Sequence, residues 1–332
     1  MTHNQGPKVV VIGGGTGSFT VLTGLKNYVR DITAIVNMSD DGGSTGSLRD
    51  ELGVLPPGDI RQCLVALSES DQIMRDLFNY RFAEGTFGGH SFGNLFLTAL
   101  EKTTGNFAQA VRTASKVLNI TGRVVPVTLT NSKLVLTQPD GSTVIGQHTV
   151  ESAKIDRSQP PQLSLEPTSR LNPEAKTAIE TADLVVIAPG NLYASLAPTL
   201  VVPGLGDVLS NSNARIVYVS NLVTKPGQTD DFQVQDYATE IERFIGKPVL
   251  DFVIYNQHQP SQKLLDKYAR AGEYAVGFDQ TTLAKQHFTP IGGDIIADSI
   301  PKLTAADQII PRTLIRHHPD KTARLIMQAY FS

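Results

Sequence analysis

The sequence predicts an α/β protein with a Rossmann-like, three-layer α/β/α arrangement of helices around a parallel sheet. Three observations lead to this fold class. The apolar run VVVI at 9–12 is followed directly by GGGTG, and buried strand patterns alternate with helical patterns in two parts of the chain, 8–122 and 173–332. Between them, the segment 123–150 changes to short strands. Alternating strands and helices are typical of a doubly wound sheet, which binds its ligand at the carboxyl ends of its strands.

The first predicted element is a strand at 9–12, because successive apolar residues are typical of a strand buried on both faces of a parallel sheet. A helix follows from Thr16 or Gly17, since apolar residues then recur at helical spacing, at Phe19, Leu22, Leu25 and Val29. A strand, a glycine turn and a helix in this order leave free backbone N–H groups and the positive end of a helix dipole facing an anion. The spacing G-x-G-x-G differs from the usual G-x-G-x-x-G, so a tight turn that binds nothing is the alternative.

The other predicted elements follow in chain order. In the first half we expect a strand at 31–37 and helices at 59–69, 91–103 and 106–118. The middle is predicted to hold three short strands, at 124–130, 133–138 and 142–148, and an irregular connection at 156–173. The second half returns to strands, at 184–188, 214–219 and 249–255, and to helices, at 261–271 and 320–329. We interpret residues 1–332 as one large α/β domain with a glycine-rich nucleotide-binding half (8–122), a β-rich insertion and linker (123–172) and a second α/β half (173–332).

Composition and charge argue against several classes of protein. The net charge is −3 and only 18% of the residues are charged, which argues against a nucleic-acid groove lined by lysine and arginine. The chain has no run of about 18 apolar residues and no signal peptide at its start, so we expect a cytoplasmic protein without membrane insertion. The single cysteine, Cys63, lies in an apolar helical pattern and is expected to be a buried structural thiol.

Glycine is concentrated early in the chain, since 15 of the 28 glycines lie between residues 13 and 105. They fall where a strand or loop gives way to a helix, at 13–17, 40–48, 56–61 and 88–94, and a fifth such segment lies at 188–195. Each segment offers N–H donors at a helix N-terminus, and several together would bind a polyanion without many lysines. The alternative is ordinary loop structure at each position. Taken together, the five segments favour a ligand that carries phosphate.

Two adjacent carboxylates, Asp40 and Asp41, follow the second predicted strand. A carboxylate at this position hydrogen-bonds a ribose hydroxyl in dinucleotide sites, and a pair could equally hold Mg²⁺ against a diphosphate. The alternative is an Asp-Gly turn with a helix cap at Ser44 or Thr45. We favour a functional role, because adjacent carboxylates repel each other unless a cation offsets them.

Further charged side chains near these segments are candidates. Asp59 is predicted to be the N-cap of a helix, and Arg61 falls in the first turn of the same helix, where the helix dipole disfavours a cation. Arg61 is therefore expected to face an anion or the acidic pair, which Arg49 can also offset. His90 lies among glycines and is a candidate hydrogen-bond donor to phosphate, or an acid or base. No second His or Cys stands at ligand spacing, so we do not expect a metal cage around it.

The segments GGGTG, SDDGGSTG, PPGDIRQCL, HSFGNL and APGNLYAS, in this order, resemble the YvcK-type gluconeogenesis factors, which are CofD-like relatives of 2-phospho-L-lactate transferase. The resemblance runs from Lys8 to Arg324 and implies a Rossmann-like fold with a nucleotide in the cleft. In the transferase relatives it implies transfer of a phospholactate group from a nucleotide diphosphate donor to a deazaflavin precursor. That reaction uses Mg²⁺ and an acidic pair, which Asp40 and Asp41 match. The YvcK-type branch is associated instead with cell shape, growth on gluconeogenic carbon sources and the binding of UDP-sugars.

The resemblance leaves three functions open. The first is a regulatory protein that binds a UDP-sugar, such as UDP-N-acetylglucosamine, or another nucleotide. The second is a Mg²⁺-dependent phosphotransferase, in which Asp40, Asp41 and His90 would be the catalytic candidates. The third, an NAD-binding oxidoreductase, is supported only by the glycine turn. A deazaflavin acceptor needs an aromatic wall, and 7% aromatic residues without tryptophan offer only scattered Phe and Tyr, which favours the regulatory protein.

The C-terminal segment is expected to fold back over the cleft. Tyr268, on the predicted helix 261–271, could then stack on a base or sugar, and Arg316 could bind phosphate through two hydrogen bonds. The alternative is that Tyr268 packs with Leu264 and Leu265 while Arg316 is solvated.

The complete set of expected ligand-binding residues is Gly13, Gly14, Gly15, Thr16, Gly17, Asn37, Asp40, Asp41, Gly58, Asp59, Arg61, His90, Gly93, Asn94, Gly190, Asn191, Asn221, Tyr268 and Arg316. We expect a diphosphate between the segment 13–17 and Gly190–Asn191, and Mg²⁺, if present, at the acidic pair. The expected partners are the nucleotide ligand, a second copy of the chain in a homodimer, and a downstream protein whose identity the sequence does not indicate.

Overall fold

The computed structural model describes residues 6–297 and 314–332. Residues 1–5 and 298–313, which the predicted domain range includes, lie outside it. Ten strands are present in the described residues: β1 Val9–Gly13, β2 Ile32–Val36, β3 Arg123–Pro126, β4 Lys133–Thr137, β5 Thr143–Ile145, β6 Gln162–Glu166, β7 Leu184–Ile187, β8 Arg215–Val219, β9 Phe252–Asn256 and β10 Thr289–Gly293. Seven of them form a parallel sheet in the order β10-β9-β8-β7-β1-β2-β3.

The first strand lies in the middle of this sheet, and its burial explains its sequence. Val9 pairs with Ile32 of β2 on one side and with Leu184 of β7 on the other. Every residue of β1 is buried, as expected for a parallel strand that is covered on both faces. From β1 the chain builds outward to β3, and from β7 it builds in the opposite direction to β10. The strand order therefore reverses between β1 and β7, and that switch point is where doubly wound sheets bind ligands.

The helices in the described residues are α1 Gly15–Leu25, α2 Gly43–Leu52, α3 Gly58–Leu67, α4 Gln72–Asn79, α5 Phe92–Thr104, α6 Phe107–Val117, α7 Gln147–Ser152, α8 Pro173–Glu180, α9 Ala197–Leu200, α10 Leu205–Asn211, α11 Val234–Ile245, α12 Gln262–Ala269, α13 Gln280–Leu283 and α14 Pro319–Phe331, with a π-helical turn at Leu192–Leu196. Helices α3 and α14 pack against α1, and α8 packs against α10. Because crossovers between parallel strands are right-handed, the reversal at the switch point puts α1 and α10 on opposite faces. The predicted three-layer α/β/α class is confirmed.

The middle of the chain differs from the prediction in three ways. The first predicted strand of the insertion is β3, which pairs with β2 in the main sheet. The small antiparallel sheet has the order β5-β4-β6, and β6 lies in the stretch 156–173 that we expected to be irregular. The predicted strand 142–148 ends at Ile145, because Gly146 takes a positive φ of 99° and α7 begins directly after it.

The apolar helices of this molecule belong to its core. The single cysteine, Cys63, is buried on α3 as expected. Among the described residues, no single helix is long and apolar enough to cross a membrane. One pair of helices, Leu192–Leu200 and Leu205–Asn211, is long and apolar enough only when its two members are taken together, and the pair is bent by 72°.

Candidate functional site

The five glycine-rich segments gather in two places. The segments 13–17 and 188–195 follow β1 and β7 and meet at the switch point. The segments 40–48, 56–61 and 88–94 surround a cavity of about 520 Å³ that lies between α2, α3 and α5. The five segments therefore form two groups, and Asp59 of the segment 56–61 connects them, because its carboxyl group lies against Gly14 and Gly15.

At the switch point the two loops touch. The Cα atom of Gly17 packs so closely against the loop after β7 that a Cβ there would lie 1.7 Å from the carbonyl oxygen of Pro189. Asn221 donates a hydrogen bond from Nδ2 to the carbonyl of Gly190 at 2.8 Å, and Asn191 accepts one from the N–H of Ala194 at 3.0 Å. The loops after β1 and β7 are thus in contact through Gly17 and Pro189, and a diphosphate between the segment 13–17 and Gly190–Asn191 stays a prediction.

We had expected Asp59 to be the N-cap of its helix, but the structure shows that it is not. The N-cap of α3 is Pro57, and Asp59 is the second residue of the helix. Its buried carboxylate accepts hydrogen bonds from the N–H of Gly15 and from the side chain of Asn37. A Cβ on Gly14 would lie 2.2 Å from Asp59 Oδ2, so the glycine turn is shaped around this carboxylate. A buried carboxyl group thus already lies at the N-terminus of α1, the position that we had assigned to a phosphate.

Asn37 also joins the end of β2 to the insertion. Its Nδ2 donates to Gln147 Oε1 at 2.8 Å, and its Oδ1 accepts from both the N–H and the hydroxyl of Ser39. The side chain is only 1% exposed. Asn37 therefore holds the loop after β2 through buried hydrogen bonds. Thr16, in contrast, lies on the exposed side of α1 at the switch point.

Three helix N-termini open onto the cavity. Helix α2 begins after Gly42, helix α3 begins after Pro57, and neither of these N-caps has a side chain that can accept a hydrogen bond. Helix α5 begins after Ser91, whose hydroxyl accepts from the N–H of Asn94. The alternative that Ser44 or Thr45 caps a helix is wrong, because both lie inside α2 and line the cavity.

Positive charge reaches the cavity through two arginines. Arg61, 8% exposed, donates from Nη1 to Asn79 Oδ1 at 2.6 Å and from Nε to Asn94 Oδ1 at 3.0 Å. A Cβ on Gly93 would lie 2.6 Å from Arg61 Cδ, so the glycine makes room for the stem of the arginine. Arg81 lines the cavity and donates to the carbonyl of Gly89. The three N-termini and the two guanidinium groups make this cavity suited to anions.

The two adjacent carboxylates serve different loops. Asp40 lines the cavity and accepts from the N–H of Gly42 at 3.0 Å, and burial raises its pKa. Asp41 accepts from the N–H of His148, at the first turn of α7, at 2.8 Å. In the described ranges, no group of three or more His, Cys, Asp or Glu side chains is placed to hold a metal ion. Mg²⁺ at the acidic pair stays a prediction. Within the described residues, no third carboxylate or imidazole completes a metal-binding group with Asp40 and Asp41.

Arg49 is buried near the acidic pair, as the sequence suggested. Its Nη2 donates to the carbonyl of Ser132 at 2.6 Å, and its guanidinium interacts electrostatically with both carboxylates of the pair. Arg61 acts instead on Asp59, whose carboxylate it stabilises.

The C-terminal segment returns to the carboxyl edge of the sheet, but Tyr268 does not present its ring there. The Tyr268 side chain is 7% exposed, and its hydroxyl accepts from the N–H groups of Leu314 and Ile315 at 2.5 and 2.9 Å. A ring so covered offers no face for stacking on a base, so this expectation is wrong. Tyr268 instead ties the segment down. Arg316 is half-buried, and its carbonyl accepts from the N–H of Ala297.

Comparisons with known proteins show the family of this chain. A family model described as 2-phospho-L-lactate transferase CofD matches residues 9–296. The chain belongs to the CofD family. A relative from Clostridium acetobutylicum is 40% identical over 326 residues, which cover 98% of this chain and 70% of that protein. The gluconeogenesis factor of Bacillus subtilis is 37% identical over 326 residues, which cover 97% of this chain and 98% of that protein.

A solved structure of the same fold is available for comparison. It is a member of the UPF0052 family from Bacillus halodurans and superposes with a TM-score of 0.87 at 34% identity, covering 97% of this chain and 99% of that one. The resemblance to the YvcK-type, CofD-like proteins and the predicted fold class are thus both confirmed.

Several cavity residues of this CofD-family chain were missed from its sequence. Ser44 and Arg81 line the cavity, and their only signal in the sequence was their position beside glycine segments. The aromatic residues are also less scattered than we had expected. Tyr80, Phe82 and Phe87 pack edge-on or tilted, with ring centroids 5.1 and 5.7 Å apart, on the loop that brings Arg81 to the cavity. The low aromatic content therefore does not count against an aromatic ligand.

Proposed function

We propose that this CofD-family chain is a cytoplasmic regulatory protein that binds a nucleotide-sugar, with a UDP-sugar such as UDP-N-acetylglucosamine as the ligand. Its role, in this proposal, is in growth on gluconeogenic carbon sources and in cell shape under those conditions. The name of the Bacillus subtilis relative supports the metabolic part of the proposal. The geometry of the cavity supports the ligand part.

The convergence of three helix N-termini and two arginines carries the proposal. A diphosphate has two negative charges and many acceptor oxygens but no donors. The first turns of α2, α3 and α5 supply N–H groups, and Arg61 and Arg81 supply charge. A volume of about 520 Å³ lies within the range of small-molecule sites, which is roughly 300–1,000 Å³.

We place the diphosphate in this cavity rather than at the glycine turn after β1. The carboxyl group of Asp59 accepts from the N–H of Gly15, so a phosphate at the same N-terminus would have to compete with that carboxyl group for the donor. The switch point then remains open to the uncharged parts of the ligand, because Thr16 is exposed there.

Calorimetric titration tests the proposal. The protein is titrated with UDP-N-acetylglucosamine, GDP and NAD, each with and without Mg²⁺, and we expect the UDP-sugar to bind most tightly. Arg81→Ala should weaken that binding roughly 10- to 100-fold, since a hydrogen bond to a charged group contributes about 1.5–3 kcal/mol. Arg112→Ala, at an exposed ion pair with Glu174, is the control. Unchanged affinity in Arg81→Ala would overturn the placement of the phosphates.

A Mg²⁺-dependent phosphotransferase is the second candidate, and the aromatic cluster beside the cavity favours it. An acceptor with a planar ring could pack on Tyr80 or Phe87, which are 50% and 54% exposed. Release of nucleoside monophosphate that depends on both Mg²⁺ and an added acceptor would establish this function. Tight binding of the nucleotide without any turnover would favour the function of a regulatory protein.

A further inference from the structure

A chain of hydrogen bonds leads from Arg61 to the hydroxyl of Ser44 inside the cavity. Arg61 Nε lies 3.0 Å from Asn94 Oδ1, and Asn94 Nδ2 lies 3.1 Å from Ser44 Oγ. Ser44 Oγ lies in turn 3.1 Å from Nδ1 of His90. A guanidinium group can only donate, so the amide oxygen of Asn94 must face Arg61 and its amide nitrogen must face Ser44.

This direction leaves the hydroxyl hydrogen of Ser44 available for donation. Because Asn94 donates to Ser44 Oγ, the hydroxyl hydrogen of the serine is available to the third partner, and it is donated to His90 Nδ1 in the tautomer of His90 that has no hydrogen on this nitrogen. The imidazole then accepts at Nδ1 and carries its own hydrogen on Nε2. A serine hydroxyl that donates a hydrogen bond to an imidazole nitrogen is the arrangement of an activated nucleophile with its general base. The second lone pair of the serine oxygen is left for a reacting atom.

The surroundings of Ser44 suit an attack on an anionic centre. Ser44 is the second residue of α2, and the N-terminus of that helix favours negative charge developing on the serine oxygen. Asn94 and Arg61 are 2% and 8% exposed, so the groups that hold the serine are themselves fixed by packing. Ser44, His90 and Arg81 all line the same cavity.

We propose that Ser44 is a nucleophile toward phosphorus and that His90 is its general base. The proposal goes beyond ligand binding, and it rests on the proposed function only in placing a phosphate ester or diphosphate in this cavity. In the step, a bond forms between Ser44 Oγ and phosphorus, and the bond from phosphorus to the leaving oxygen breaks. The proton passes from Ser44 Oγ to His90 Nδ1 and then to the leaving oxygen, so the step needs no other reactant. The product is a phosphoserine, whose oxygens Arg81 can bind.

Labelling with diisopropyl fluorophosphate tests the nucleophile. The reagent is neutral and therefore does not need the anion site, and its phosphorus–fluorine bond breaks when serine attacks. Mass spectrometry of the digested protein should place the label on Ser44. Ser44→Ala should remove it, and His90→Gln should slow it at least about 100-fold, the usual scale of general base catalysis. Ser210→Ala on α10 is the control, because Ser210 is exposed, donates to the carbonyl of Asp207 and lies outside the residues that line the cavity, so its loss should leave the rate unchanged.

Two results would overturn the proposal: no label on Ser44 in the folded protein, or an equal rate in His90→Gln. Thermal unfolding of each variant shows whether it is folded. The fate of the proposed function is read separately, from titration with UDP-N-acetylglucosamine. Label on Ser44 without binding of this ligand would support the nucleophile and contradict the binding function, and binding without label would do the reverse.

Discussion

The carboxyl group of Asp59 shows how the surroundings of a single residue can favour its protonated form. Burial, and then the negative charge of Asp40, raises its pKa to about 7, while the N–H of Gly15 and the side chains of Asn37 and Arg61 act in the opposite direction. The ordinary pKa of this group is 3.8. The folded protein therefore holds a proton on Asp59 at pH values where the unfolded chain has lost it. Consequently the free energy of unfolding falls as the pH rises from about 4 to about 7, and the loss is complete above that window.

Asp59→Asn tests this proton. We expect the variant to lose less unfolding free energy than the wild-type protein between about pH 4.5 and about pH 7.5, because an amide does not ionise. The oxygen of the asparagine can still accept from the N–H of Gly15. Urea denaturation at the two pH values measures the difference. Asp50→Asn, on the exposed side of α2, is the control, and parallel pH curves for Asp59→Asn and the wild-type protein would contradict the shifted pKa.

Which residues the sequence could identify depends on how local their roles are. Gly93 and Asn94 stand out because a glycine-rich segment before an apolar helical pattern marks a helix N-terminus wherever it occurs. The roles of Asp59 and Tyr268 could not be read in the same way. Asp59 contacts a turn that lies far away along the chain, and the hydroxyl of Tyr268 accepts from the N–H groups of Leu314 and Ile315. Only the packed structure therefore shows what each side chain does.

At the scale of elements, the contact between α1 and the loop after β7 is the tightest backbone approach at the switch point. A Cβ on Gly17 would lie 1.7 Å from the carbonyl oxygen of Pro189. Gly17→Ala should therefore push α1 away from that loop and destabilise the fold by at least about 1–3 kcal/mol, the usual cost of overpacking. Chemical denaturation measures the change. Thr16→Ala, at an exposed position on the same helix, should change the unfolding free energy much less, and equal stabilities for the two variants would show that the loop can yield.

The elements of the sheet were predictable where burial imposes an unambiguous pattern, as in β1, β2 and β7, whose residues are all buried. The elements between β3 and β6 were less so. The pattern of β6 is weak because it alternates exposed and partly buried residues, and α7 depends on Asp41, which accepts from the N–H of His148. The sequence of a strand does not by itself specify which strand it pairs with, so the pairing of β3 with the main sheet could not be predicted.

At the scale of the whole molecule, the segment before α14 ties the end of the chain to its middle. Tyr268 holds Leu314 and Ile315, and His317 Nε2 lies 3.0 Å from the carbonyl of Ser220 at the end of β8. Burial lowers the pKa of His317 to about 4, so its imidazole is neutral at neutral pH. Helix α14 then packs on α1, which connects the last element of the chain to the first crossover.

Tyr268→Phe removes the hydroxyl that accepts from both backbone N–H groups. Unsatisfied buried donors cost about 1–3 kcal/mol each, so the segment should open more often. We expect faster hydrogen exchange at the amides of Leu314 and Ile315, with little change in the core strands. Tyr274→Phe is the matched control because Tyr274 is 58% exposed. Unchanged exchange at the two amides in Tyr268→Phe would mean that other contacts hold the segment.

The position of the cavity in the chain has a consequence for how ligand preference can change. In the described part of the chain, every residue that lines the cavity lies in the single crossover between β2 and β3. The switch point, in contrast, is built from loops of both halves of the sheet. A crossover from another family member could therefore be exchanged as one uninterrupted segment, joined at Val36 and Arg123, which are hydrogen-bonded into the sheet. Such a chimera should acquire the anion preference of the donor protein while it keeps the sheet of the recipient.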